Sequence, residues 1–129
     1  MALIVLDASV VIAHVEVRDA HHASARKALL EHAGDDLRVP ASAYSEALVA
    51  PAASGRLGEA VAAVRELGLH VEPIAETVAE RAAELRATHR ALRLPEALVL
   101  ACGDVLDADS VVTADSSWRR YSKRVSVIG

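Results

Sequence analysis

The chain has no phenylalanine, and aromatic residues make up only 2% of its 129 positions. Its core must therefore be assembled from Ala, Val and Leu, a palette suited to close packing of helices on a sheet. Cysteine occurs once, at Cys102 in an apolar helical pattern. That excludes a disulfide within the chain and a Cys-rich zinc cluster, so a reducing, cytoplasmic setting is expected. No apolar run is long enough to span a bilayer, and no basic segment precedes the first apolar stretch, so neither a membrane anchor nor a leader is expected. Positive charge is not in excess: 14 Lys and Arg stand against 18 Asp and Glu, a formal charge of −4. This excludes binding of nucleic acid through a general positive field, and leaves a local basic patch or metal ions as the means. With 53% hydrophobic and 25% charged residues, the chain should be globular. Its length fits one domain over residues 1–129 with a proper core.

The segment LIVLD at 3–7 has consecutive apolar residues and no polar alternation, as a central parallel strand does. A short helix is expected over 8–15, a polar loop over 16–22, and a helix over 22–34 with Gly34 as its stop. DLRVP at 36–40 reads as a strand. Ser42 suits the cap of a helix running to Ala50, which Pro51 ends or kinks. Further helices are expected over 55–68, 75–92 and from Pro95 to Leu106, with strands over 69–74, 110–115 and 125–128. Strands that alternate with helices predict a three-layer α/β/α sandwich with a mainly parallel central sheet.

In such sheets the crevice lies beyond the carboxyl ends of the strands. Asp7 ends the first strand, and Asp115 follows the strand SVVT. Glu96 lies in the first turn of the Pro95 helix, and Glu46 in the apolar helical run AYSEALVA. Each acid also has a plain structural reading. Asp7 suits a helix cap, Glu96 the helix dipole, Asp115 a turn and Glu46 a solvated face. Placed together, four carboxylates repel one another and call for a counter-charge. A hard divalent cation, Mg²⁺ or Mn²⁺, answers that need and serves phosphate chemistry.

The same segments resemble the motifs of PIN-domain ribonucleases, specifically the VapC toxins of bacterial toxin–antitoxin modules. VLDASVVIA resembles the first-strand motif and VPASAYSEALVA the segment with the second acid. RLPEALVLACG resembles the L-P-D-A segment, and SVVTADSSW the late T-x-D motif. The resemblance implies a metal-dependent endoribonuclease that inhibits translation by cutting RNA, with tRNA or rRNA loops as targets. It also implies a Mg²⁺ or Mn²⁺ cofactor, a homodimer and a VapB-like antitoxin. Its acids fall on Asp7, Glu46, Glu96 and Asp115, supported by the hydroxyls of Ser9 and Thr113. Glu96 stands where the family usually has Asp, which puts full activity in question. The alternative is a catalytically weakened binding module that docks an antitoxin in an autoregulatory complex.

The cluster Arg119, Arg120, Lys123 and Arg124 directly follows Asp115. It is a candidate contact for RNA phosphates, with Trp118 or Tyr121 available for stacking. A solvated loop with one aromatic anchored in the core is the competing reading. His14, His21 and His22 lack a third ligand at metal spacing. Asp104, Asp107 and Asp109 are not assigned to the site. The Ala- and Leu-rich helices between Ser42 and Leu67 offer a face for dimerisation.

Overall fold

The computed structural model describes residues 1–129. Five strands, β1 (Leu3–Leu6), β2 (Asp36–Pro40), β3 (His70–Glu72), β4 (Ser110–Thr113) and β5 (Val125–Val127), form one sheet in the order β3-β2-β1-β4-β5. Every pairing is parallel. The chain order runs outward from β1 to one edge and then returns to the other side of β1. Right-handed crossovers therefore put α1 (Ala8–Val15), α2 (His22–Glu31), α3 (Ala41–Ala53) and α4 (Leu57–Glu66) on one face, and α5 (Glu76–Thr88) and α6 (Leu94–Val105) on the other. The expected sandwich is the one found.

Burial follows position in the sheet. Ile4, Val5 and Leu6 of central β1 are buried on both faces, whereas edge strand β3 leaves His70 and Val71 exposed. The core is a 28-residue cluster in which Ile4, Leu6 and Leu100 are the largest fully buried side chains, so aliphatic residues fill it with almost no help from aromatics. Cys102 lies within it, and burial pushes its thiol up to about 11. Helix α6 crosses β4 at very close range. A methyl group on Gly103 would come within 2.5 Å of Val111 Cγ2.

Several expected boundaries shift. Ser42 is not the cap of α3. Strand β2 continues to Pro40, whose backbone turns straight into the helix, and the Ser42 hydroxyl is buried without a partner. The helix also passes through Pro51 and stops at Ala53, where Gly55 adopts a positive φ of 73° just beyond the cap. Pro51 thus falls in the last turn, where only one intrahelical bond is lost. Helix α2 ends at Glu31, three residues before Gly34. The segment after β4 is a 3-10 turn, Ser116–Arg120, rather than a plain loop.

The aspartates around the end of α6 are committed to the fold. Asp104 pairs with Arg81 and Arg124, Asp107 pairs with Arg124, and Asp109 accepts from the Leu3 amide at 2.8 Å. These contacts sit at the amino ends of β1 and β4, opposite the expected crevice.

Candidate active site

The strand order reverses direction between β1 and β4, and this is where an open α/β sheet opens a crevice. Asp7 sits at its floor. Its amide donates to the Val112 carbonyl at 2.9 Å, continuing the β1–β4 ladder one step past the strand. The Asp7 side chain performs two tasks. Oδ1 accepts from the Ala8 amide at 2.8 Å and caps α1, as the structural reading of this residue requires. Oδ2 accepts from Ser9 Oγ at 2.7 Å and from Thr113 Oγ1 at 2.9 Å. Ser9 Oγ in turn accepts from the Ala114 amide, and Thr113 Oγ1 from the Asp115 amide. Two hydroxyls thus tie the ends of β1 and β4 together around one carboxylate, the supporting task expected of Ser9 and Thr113.

Burial pushes the Asp7 carboxyl above its ordinary range, opposed by the hydrogen bonds from Ser9, Thr113 and the backbone. Glu46 reaches the same crevice from α3. Its carboxyl is also pushed up, first by loss of water around it and then by the charges of Asp7 and Glu96, while Arg93 pulls it down. Glu96 arrives from the first turn of α6, beside Pro95. Asp115 caps the 3-10 turn through Oδ1, which accepts from the Ser117 amide and hydroxyl at 2.9 and 2.7 Å. All four acids line one cavity of about 220 Å³, together with Ser9 and Ile12. The sequence places these four carboxylates 108 residues apart at the extremes, and the fold brings them to one rim.

This donor set fits a small hard cation. It offers carboxylate oxygens and neither sulfur nor imidazole. Glu96 Oε2 is buried there with no hydrogen-bond donor, a cost that a cation would remove. As they stand, no three of the acids are close enough to grip one ion. One of them is paired with Arg93, which was not singled out from the sequence. Its Nη2 donates to Glu96 Oε1 at 2.8 Å and holds that side of the carboxylate. The spacing Arg93-x-x-Glu96, one helical turn across a helix start, was the available signal.

The basic segment divides. Arg119, Arg120 and Lys123 are exposed beyond Asp115. Arg124 is not available: its guanidinium bonds Asp104, Asp107 and the Ala108 carbonyl at the far end of β4. Trp118 is 2% exposed and serves as core, so it cannot stack on a base from solvent, and the anchored-aromatic reading holds for it. Tyr121 is only partly buried, with His89 edge-on at 5.1 Å and the Arg120 guanidinium 5.9 Å from its ring centre. The histidines lie elsewhere. His22 Nδ1 contacts the Ala13 carbonyl at 2.7 Å, and burial lowers the pKa of His14.

No curated protein matches the chain in sequence. Solved structures do match its fold. A toxin–antitoxin complex from Klebsiella pneumoniae superposes with a TM-score of 0.80 at 18% identity, covering 95% of each chain. VapBC2 from Rickettsia felis, bound to a DNA fragment from its promoter, gives 0.80 at 11% identity over 98% of this chain and 99% of that one. The sarcin–ricin loop cleaving toxin VapC20 of Mycobacterium tuberculosis gives 0.75 at 20% identity over 91% and 93%. The PIN domain model matches residues 4–124, from the first strand to the basic segment. With that match over nearly its whole length, and acids at each expected rim position, the chain belongs to the PIN domain family.

Proposed function

We propose that the chain is a Mg²⁺- or Mn²⁺-dependent endoribonuclease, the toxin of a type II toxin–antitoxin pair, which inhibits translation by hydrolysing RNA. The observation that carries this reading is the meeting of Asp7, Glu46, Glu96 and Asp115 in one cavity, with Glu96 Oε2 buried and unpartnered. Asp7 and Asp115 would be the principal ligands in this reading, Glu46 would complete the shell or position the water, and Glu96 would hold a second ion or take a proton through water. A divalent cation held there would polarise the scissile phosphate and lower the pKa of the attacking water.

The chain's own groups do the rest. Ser9 and Thr113 fix Asp7 Oδ2 by donating to it, so its orientation is set before substrate arrives. Glu46 reaches the cavity from α3, where it would position the water. Arg119, Arg120 and Lys123, exposed in the segment after Asp115, are the candidate contacts for RNA phosphates, and Tyr121 offers the neighbouring ring.

The antitoxin part draws support from a second cavity of about 220 Å³ between α1, α3 and α4. Ile12, Ala47, Ala50 and Pro51 make its wall apolar, and it runs to Glu46 at the acidic rim. A VapB-like segment with an apolar face and a cationic side chain would fit both chemistries. Exposed Val49 and Leu57 on the same helices suit a homodimer contact.

The test is digestion of total RNA and of single-stranded DNA, with Mg²⁺ and with Mn²⁺, by the wild type and by Asp7→Ala. RNA cleavage that the substitution abolishes, leaving 5′-phosphate and 3′-hydroxyl ends, is the expected result. A 2′,3′-cyclic end would overturn the hydrolytic mechanism. Absence of cleavage with either metal would leave the antitoxin-binding module as the function.

A further inference from the structure

The Glu96 carboxylate faces two surroundings. Oε1 accepts from Arg93 at 2.8 Å, while Oε2 is buried with no donor. Arg93 occupies the cap position of α6, and its side chain is 80% exposed against 21% for Glu96. It is the only basic side chain paired with any of the four acids. Its charge also reaches Glu46, where it opposes the upward push of Asp7 and Glu96.

We propose that Arg93 is a resident counter-ion of the acidic pocket, a positioning residue that holds Glu96 Oε1 and competes with a divalent cation for that carboxylate. Four mutually repelling carboxylates need a positive charge close by. An arginine at the rim supplies one, and its exposure makes the pairing weak and therefore releasable. A buried partner would hold too firmly to be exchanged for a cation. The pairing engages one of the four acids that line the cavity and leaves the other three without a basic partner. Arg93 also lines a cavity of about 150 Å³ with Leu92, Asp115, Ser117 and Tyr121. There it is placed to bond a phosphate oxygen of the bound strand.

This inference rests on the reading of the pocket as a metal site, and one titration separates the two. Trp118 is the only tryptophan and lines the acidic cavity, so its fluorescence reports bound Mn²⁺ by quenching. Mn²⁺ is titrated into the full-length wild type, Arg93→Ala, Arg93→Lys, Glu96→Gln, Asp7→Ala and the Arg93→Ala/Glu96→Gln double variant. Arg93→Ala is expected to bind Mn²⁺ about three- to fivefold more tightly than the wild type, the span of an exposed ion pair. Arg93→Lys should stay near the wild type, and Arg93→Ala should gain clearly less in the Glu96→Gln background, where only its charge on Glu46 remains. Equal or weaker binding by Arg93→Ala overturns the proposal. So does an equal gain in the Glu96→Gln background, which would mark a general field effect. Both of those outcomes leave the metal site intact if Asp7→Ala still abolishes quenching. No quenching of the wild type itself would overturn the metal site and the counter-ion role together.

Discussion

Thr113 Oγ1 donates to Asp7 Oδ2 at 2.9 Å, joining the carboxyl end of β4 to that of β1 across 106 residues of sequence. Thr113 is fully buried, and its hydroxyl also accepts from the Asp115 amide at 3.1 Å. Thr113→Val keeps the shape and removes both bonds. It should lower unfolding stability by about 1–3 kcal/mol, read by urea titration. The lost donor opposed the effect of burial on Asp7, so the Asp7 pKa should rise further, and the acid limb of the cleavage–pH profile should move to higher pH.

Stability itself should carry the opposite signature from most carboxylates. The Asp7 carboxyl is raised in the folded chain relative to the unfolded one. Between those two values the folded state holds more protons, so its stability falls as pH rises from the unfolded value through the folded one. Above that window the ionised Asp7 is a standing cost. Asp7→Asn keeps an oxygen for the Ala8 amide but puts an NH₂ where Oδ2 accepts from Ser9 and Thr113, so it should remove this fall in stability with rising pH, read by melting across that window, while abolishing cleavage. Adding Mn²⁺ should stabilise the wild type and leave the variant unmoved. A variant that keeps the wild type's pH dependence of melting would contradict this.

Glu96→Asp should increase RNA cleavage. The side chain shortens by one methylene, which withdraws it from Arg93 and restores the acid usual at this motif. Single-turnover rates in Mg²⁺ provide the check, and an unchanged or lower rate would count against the assignment of Glu96 as a compromised ligand.

The basic segment should separate into two kinds of arginine. Arg124→Ala strips donors from Asp104, Asp107 and the buried Ala108 carbonyl, so it should cost about 1–3 kcal/mol of stability with little change in RNA affinity. Alanine at Arg119, Arg120 and Lys123 together should do the reverse. It should weaken RNA binding and flatten the dependence of log affinity on log salt by roughly 0.7 per lost phosphate contact. Equilibrium unfolding and filter binding on the same preparations distinguish the two.

Gly103→Ala tests the packing of α6 on β4. The added methyl would meet Val111 Cγ2 at 2.5 Å in a core with no slack. A loss of about 1–3 kcal/mol is expected in denaturant unfolding.

The sheet and the acids were legible because their signals are local. An unbroken apolar strand marks β1 as central, and a carboxylate at the end of such a strand faces the rim whatever lies beside it. The losses came where tertiary partners decide. Ser42 has the side chain of a cap, yet β2 runs to Pro40 and leaves no free turn for it to cap. Arg124 looks like its basic neighbours until the fold sets Asp104 and Asp107 against it. Trp118, by contrast, is buried in the core as its anchored-aromatic reading expects. Arg93 was legible as one half of an i, i+3 pair, but attention to the acid alone hid its partner. Asp7 and Asp115 show that structural and functional readings are not rivals, since each caps a helical turn and lines the pocket at once.

The sheet order has a consequence for how such a chain is made. Asp7 leaves the ribosome among the first residues, but its neighbour strand β4 and Asp115 leave among the last. Until β4 pairs with β1, the hydroxyl of Thr113 and the last acid are absent from the rim, and the nascent chain holds an incomplete cluster. If the cluster serves the proposed cleavage, a product truncated before β4 would lack both that strand and the last acid and should not cut RNA.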